Sequence, residues 1–133
     1  MVLVDTSVII DWIRGGSSHA TILLKGIFAN KTPHGISILT YQEVLQGAKS
    51  SKEYRELQGY LSTQTIYTLP NDLEFYNKAS YYNRMLRTKG ITIRSTVDLL
   101  IAMTAIWNNI PLLHDDRDFE YFASEISDLR KYR

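Results

Sequence analysis

The sequence predicts an α/β fold: a central parallel β-sheet flanked by α-helices in three layers. Two observations lead there. Short apolar or β-branched runs alternate with longer stretches of helical periodicity along the whole chain. That alternation is the signature of strands joined through covering helices. In addition, 133 residues with 44% hydrophobic and 22% charged content, no repeat and no low-complexity tract read as one globular domain, residues 1–133.

The elements follow in order. "VLV" at Val2–Val4 is a short buried strand. A helical stretch runs from about Ser7 to Ile13, and "GGSS" at 15–18 breaks it. A second helix, about His19 to Asn30, carries Ile22, Leu23, Ile27 and Phe28. Pro33 precedes the short strand "GIS", and a helix opens at Thr40. Lys52–Leu61 is an amphipathic helix, and "TIYTL" (65–69) is a strand rich in β-branched residues. From Asn71 to Thr88, Phe75, Ala79, Tyr82 and Leu86 recur on one helical face, and Gly90 ends that helix. "STVDLLIAMTAIW" (95–107) is apolar nearly all round, the mark of a buried helix. "IPLLH" (110–114) is the last strand, and a short helix follows from Asp118.

Composition narrows the chemistry. The chain has no cysteine, which rules out disulfides, thiolate metal sites and a thiol nucleophile. "MVLVDTSVIIDWIRGG" is interrupted by Asp5 and Asp11 and does not read as a signal peptide. No apolar run is long enough to span a bilayer, so no membrane role is expected and the cytoplasm is the default. A net charge of +1 neither favours nor excludes nucleic acid.

Acids stand at the strand-to-helix junctions. Asp5 follows "VLV", Glu43 lies beyond "GIS", Asp98 sits in the first turn of the buried helix, and Asp115, Asp116 and Asp118 follow "PLLH". In an open parallel sheet these junctions share one edge, where such folds bind ligands. Each acid also has a plainer reading. Thr40-x-x-Glu43 and Ser95-x-x-Asp98 match the capping box, Asp5 can cap the first helix, and acids in a first turn suit the helix dipole. Capping explains Asp98 poorly, because Ser95 alone can supply a cap worth ~1 kcal/mol. A carboxylate at the start of so apolar a helix points to a cation in front of it. Clustered oxygen ligands without cysteine or paired histidines suit Mg²⁺ or Mn²⁺, the ions used in pairs to hydrolyse phosphodiesters.

These segments resemble the PIN-domain nucleases, in particular the VapC-type toxins of toxin–antitoxin pairs. "VLVDTSVIID" looks like the first motif, "TYQEVLQGA" the second, "TVDLLIAMTA" the third and "LLHDDRDFE" the fourth, in order from Val2 to about Phe119. The resemblance implies a PIN-like fold and a Mg²⁺- or Mn²⁺-dependent endoribonuclease. It also implies a homodimer, inhibited by a small cognate antitoxin whose tail reaches toward the acidic site. Carried over by position, the catalytic and metal-binding set is Asp5, Glu43, Asp98 and Asp116. Asp118 is a further acid before a Phe, and Thr6 and Ser7 form a hydroxyl pair behind the ligands. His114 and Asp115 depart from the pattern, which usually has Thr or Ser and then a non-acidic residue. The fourth ligand is therefore open among Asp115, Asp116 and Asp118. His114 is expected either to hold a water or phosphate oxygen, or to be a strand-end histidine without a role.

Other residues carry plainer expectations. Asp11 is too far along its helix to share a metal with Asp5 and is expected to be structural. Gly47 is expected to permit a tight helix–helix contact. Arg84, Arg87 and Arg94, with Lys89, form a basic run that either contacts RNA phosphates or is a solvated face; the basic "LRKYR" terminus either contacts phosphates too or simply frays. Trp12, Ile22 and Phe28 are expected to give apolar surface to partners. Two other classes compete. A phosphotransfer or phosphatase domain also sets acids at strand ends. However, Ser7 stands where Asp-x-Asp would need its second acid, and "PLLHDD" lacks a receiver's lysine. The second is a catalytically inactive PIN-like binding module, opposed by all four acidic positions being filled.

Overall fold

The structure, a computed structural model, describes residues 1–133. Along the chain it forms β1 (Val2–Val4), α1 (Thr6–Ile13), α2 (His19–Ala29), β2 (His34–Ser37), α3 (Ile38–Gln46) and α4 (Ser51–Leu61). β3 (Thr65–Tyr67), α5 (Leu73–Thr88), α6 (Thr96–Trp107), β4 (Leu112–Leu113) and α7 (Arg117–Glu125) complete it. The four strands pair in the order β3-β2-β1-β4, all parallel.

Alternation along the strands divides the interior into two cores, one on each face of the sheet. Leu3 and Leu112 pack with α5, α6 and α7 through Phe75, Leu86, Ile101, Met103, Phe119 and Phe122. Val2, Val4, Ile36 and Leu113 turn the other way, against Val8, Leu24, Ile27 and Leu61 of α1, α2 and α4. The fold is therefore the three-layer α/β arrangement that the alternation predicts. No helix is long and apolar enough to cross a membrane.

The strand order positions the site. From β1 the chain proceeds to β2 and β3 on one side; after β3 it crosses back to place β4 on the other. The order reverses at β1, and the C-terminal ends of β1 and β4 lie side by side, with Asp5 N–H donating to Leu113 C=O at 3.0 Å. Such a reversal opens a crevice beyond the strand ends.

Several local readings are corrected. α3 opens at Ile38, not at Thr40, because Ser37 at the end of β2 already caps it by accepting the Leu39 N–H at 3.1 Å. Thr40 is thus a fully buried residue inside the helix, not half of a capping box. Gly47 makes no helix–helix contact; it is the exposed C-cap of α3, and an added Cβ would meet only the helix's own carbonyls at 3.5 Å or more. The C-terminal segment neither frays nor stays a free basic tail. Leu112 N–H donates to Arg130 C=O, and Tyr132 N–H to Leu112 C=O, both at 2.9 Å, so it extends the sheet beyond β4.

Asp11 has the structural role expected of it. Its Oδ2 accepts from the hydroxyls of Ser18 (2.9 Å) and Thr21, tying α1 to the start of α2. Those bonds, Thr21 first, lower its pKa. Gly16 is required beside it, since a Cβ there would stand 2.1 Å from Asp11 Oδ1. Trp12 lies edge-on to Phe28 with centroids 5.1 Å apart and also packs on Tyr60, and both Trp12 and Phe28 are partly buried. Ile22 alone of that trio projects outward, at 57% exposure.

Candidate active site

Asp5 follows β1 directly and caps α1. Its Oδ2 accepts the Ser7 hydroxyl at 2.6 Å and the Ser7 N–H at 3.3 Å. Its Oδ1 is buried and has no hydrogen-bond partner. Burial, opposed by the Ser7 bonds and reinforced by the charge of Asp116, raises the Asp5 pKa. A buried carboxylate oxygen without a partner is costly and calls for a cation or a proton.

Glu43 reaches the same region from the middle of α3. The Thr6 hydroxyl donates to its Oε1 at 2.7 Å and lies 2.9 Å from the Thr40 hydroxyl. Thr6 has one proton, and the charged acceptor takes it. The buried Thr40 then completes the chain by donating to Thr6. Thr40 therefore supports Glu43 from inside α3, while Ser37 does the capping. The spacing of three between Thr40 and Glu43, which sets both on one helical face, is the signal that finds Thr40.

Asp98 is half-buried at the start of α6. Ser95 does cap that helix, its Oγ accepting the Asp98 N–H at 3.4 Å, but the Asp98 carboxylate returns no bond. Burial and then the charges of Asp5, Asp116, Glu43 and Asp118 push its pKa up to about 6. Four other acids named from the sequence therefore bear on Asp98. Asp5 and Glu43 do so without lining the cavity that Asp98 shares with Asp115, Asp116 and Asp118.

Asp116 caps α7, its Oδ1 accepting the Asp118 N–H at 2.8 Å. Asp118 is buried at 8% exposure, and its Oδ2 accepts the Arg94 N–H at 3.5 Å. Asp98, Asp115, Asp116 and Asp118 line one cavity of 390 Å³ together with Arg94 and Arg117. Arg84 and Arg87 lie outside it. Arg117 belongs to this lining too, and its place between Asp116 and Asp118 is the sequence signal for it.

His114 is buried and points inward onto Phe119. Its Nδ1 accepts the Asp116 N–H at 3.3 Å, and burial lowers its pKa. A neutral ring thus holds the loop that carries Asp116, a third outcome beside the two expected of it.

As placed, no three His, Asp or Glu side chains stand close enough to grip one ion. The donor chemistry still fits a hard divalent cation. Every available group is an oxygen, Asp5 Oδ1 is buried and unpartnered, and Asp98 lacks any bond to its charge. The charges of Asp5, Asp116, Glu43 and Asp118 each disfavour ionised Asp98, a cost that a cation among them would offset.

Fold and site together define a class: a parallel α/β domain with a carboxylate-lined crevice at the strand-order reversal. The chain belongs to the PIN-domain family, whose profile matches residues 2–125. It is 27% identical to Ribonuclease VapC11 of Mycobacterium tuberculosis over 124 residues, 92% of each chain. A VapC ribonuclease of Mycobacterium bovis is similar to the same extent. Among solved structures, VapBC2 from Rickettsia felis bound to a promoter DNA fragment superposes with a TM-score of 0.69 at 23% identity, over 99% of this chain and 98% of that one. VapBC-1 from nontypeable Haemophilus influenzae superposes at 0.71 with 19% identity, over 99% and 97%. These likenesses establish the fold.

Proposed function

We propose that this chain, as a single catalytic domain, is a divalent-metal-dependent endoribonuclease and the toxin of a toxin–antitoxin pair. The observation that carries the reading is Asp98, a half-buried carboxylate with no hydrogen bond, lining a cavity with three other aspartates, its pKa raised by burial and then by four other acids. Capping does not require that arrangement, and holding a cation does. The ribonuclease relatives at 27% identity support the same reading.

Asp5, Glu43, Asp98 and Asp116 would hold Mg²⁺ or Mn²⁺, with Asp118 behind them. Such an ion, when bound, activates water as a nucleophile and offsets charge building on the phosphate. The chain's own groups prepare the place. Ser7 occupies Oδ2 of Asp5 and leaves Oδ1 free. Thr6 and Thr40 fix the rotamer of Glu43. His114 and the α7 cap set Asp116. With its pKa pushed up to about 6 by burial and the neighbouring acids, Asp98 is mostly ionised at neutral pH and its carboxylate would be available to a cation.

The solved VapBC neighbours motivate a small antitoxin as the partner. The homodimer and the cytoplasmic location are carried by the family resemblance alone. Ile22, Ile13 and Tyr54 are outward apolar side chains available to such contacts. The test is cleavage of total RNA by purified, antitoxin-free protein with Mg²⁺, Mn²⁺ or chelator. Cleavage only with metal is expected. Equal cleavage in chelator contradicts the metal mechanism, and no cleavage of any RNA favours a binding module.

A further inference from the structure

The acid-lined cavity contains two cations that its acids do not use. Arg94 and Arg117 line it beside four aspartates, and both side chains are exposed. The chain's ion pairs are Lys52–Glu56, Lys89–Glu125 and Lys131–Glu120; neither arginine is in one. Two of the neighbouring carboxylates are engaged by backbone instead. Asp116 Oδ1 takes the Asp118 N–H, and Asp118 Oδ2 takes the N–H of Arg94 itself. Arg130, by contrast, spends its guanidinium on the Asn109 carbonyl at 3.0 Å.

Both arginines also spring from fixed backbone. Arg94 is tied to Asp118 and precedes the Ser95 cap of α6. Arg117 is the first residue of α7, directly behind the Asp116 cap. Two arginines thus line one cavity from anchored backbone, with no hydrogen bond or ion pair to either guanidinium. A planar guanidinium fork matches the oxygens of a phosphate, and a pocket of carboxylates needs such groups before it can admit a polyanion.

We infer that Arg94 and Arg117 form a phosphate clamp that seats the RNA backbone against the carboxylates. This rests on the ribonuclease reading above. The clamp binds the strand through its phosphates, carries no base preference, and excludes Arg84 and Arg87, which lie outside the cavity.

The test uses two fluorescein-labelled RNAs, one single strand of mixed sequence and one hairpin. Binding is read by anisotropy across a salt series in Mg²⁺, with Asp5→Asn in every protein to stop cleavage of the probe. Arg94→Gln and Arg117→Gln should each weaken binding of both RNAs and lower the slope of log affinity against log salt by about one. Arg84→Gln should change neither. Arg94→Lys and Arg117→Lys should restore the slope but only part of the affinity, because the charge returns without the fork. With Asp5 intact, the Gln variants should raise KM for cleavage, and melts within about 1 °C of the parent show intact folding. If RNA is bound and cut but the Gln variants keep the parent slope, the clamp is wrong and the ribonuclease reading stands. If the parent neither binds nor cuts either RNA, both fall.

Discussion

The Thr6 hydroxyl on α1 donates to Glu43 Oε1 on α3 across 2.7 Å, joining the residue after the first acid to the second acid. Thr6→Val keeps the shape and removes the donor. It also strands the buried Thr40 hydroxyl. Stability should fall by about 0.5–1.5 kcal/mol. Metal affinity should fall roughly 10–100-fold, the usual cost of losing a group that orients a ligand. Thr6→Ser should recover both. Chemical denaturation and a Mn²⁺ titration measure the two effects separately.

Gly16→Ala probes the scaffold without touching the site. The new methyl would collide with Asp11 Oδ1 and push the carboxylate off Ser18 and Thr21. A loss of about 1–3 kcal/mol is expected from the forced shift. Cleavage per folded molecule should be unchanged. A drop in kcat at temperatures well below the melt would place the α1–α2 staple in the mechanism and contradict this account.

Stability without metal should depend on pH through Asp98. Its pKa rises from 3.8 in the unfolded chain to about 6 in the fold. Below pH 3.8 both states hold the proton and no penalty applies. Between about 4 and 6 the unfolded chain releases it and the fold does not. The folded state therefore loses stability as pH climbs through that window, and the loss levels off above it. Asp5, also raised, acts in the same sense. His114, lowered from 6.5 by burial, instead costs stability as pH falls below that value. Subtracting the Asp98→Asn profile from the parent profile, both in chelator, cancels His114 and should leave a decline confined to pH 4–6. A flat difference would mean that Asp98 is not a strained carboxylate.

The architecture was legible because binary pattern decides it. Val2–Val4, "GIS" and "TIYTL" are too short and apolar for helices, and the intervening runs carry clear helical periodicity. The site acids were legible by their place at strand ends and by the oddity of Asp98 in an apolar helix. What the sequence concealed depended on competition between equivalent residues. Ser37 and Thr40 are both good caps, and only the end of β2 decides for Ser37. His114, just after β4, could face solvent or the core, and in the fold it is buried against Phe119. Pairing of the C-terminal segment with β4 is a long-range bond that local pattern does not encode. The unpaired state of Arg94 and Arg117 is likewise visible only once Asp116 and Asp118 are seen to be bonded to backbone.

The most direct test is the Mg²⁺-induced rise in melting temperature of Asp98→Asn against the parent. Two melts of each protein are needed, in chelator and in ~10 mM Mg²⁺. A ligand that binds only the native state raises the melt in proportion to how tightly it is held. If Asp98 is one of a set of mutually repelling metal ligands, removing its charge leaves the chelator melt equal or higher. The Mg²⁺ shift should then shrink or vanish. If Asp98 is instead a helix-capping acid, the chelator melt falls by the equivalent of about 0.5–1 kcal/mol and the Mg²⁺ shift survives intact. The first result is the one predicted here; the second would contradict the carboxylate metal centre at the end of β1.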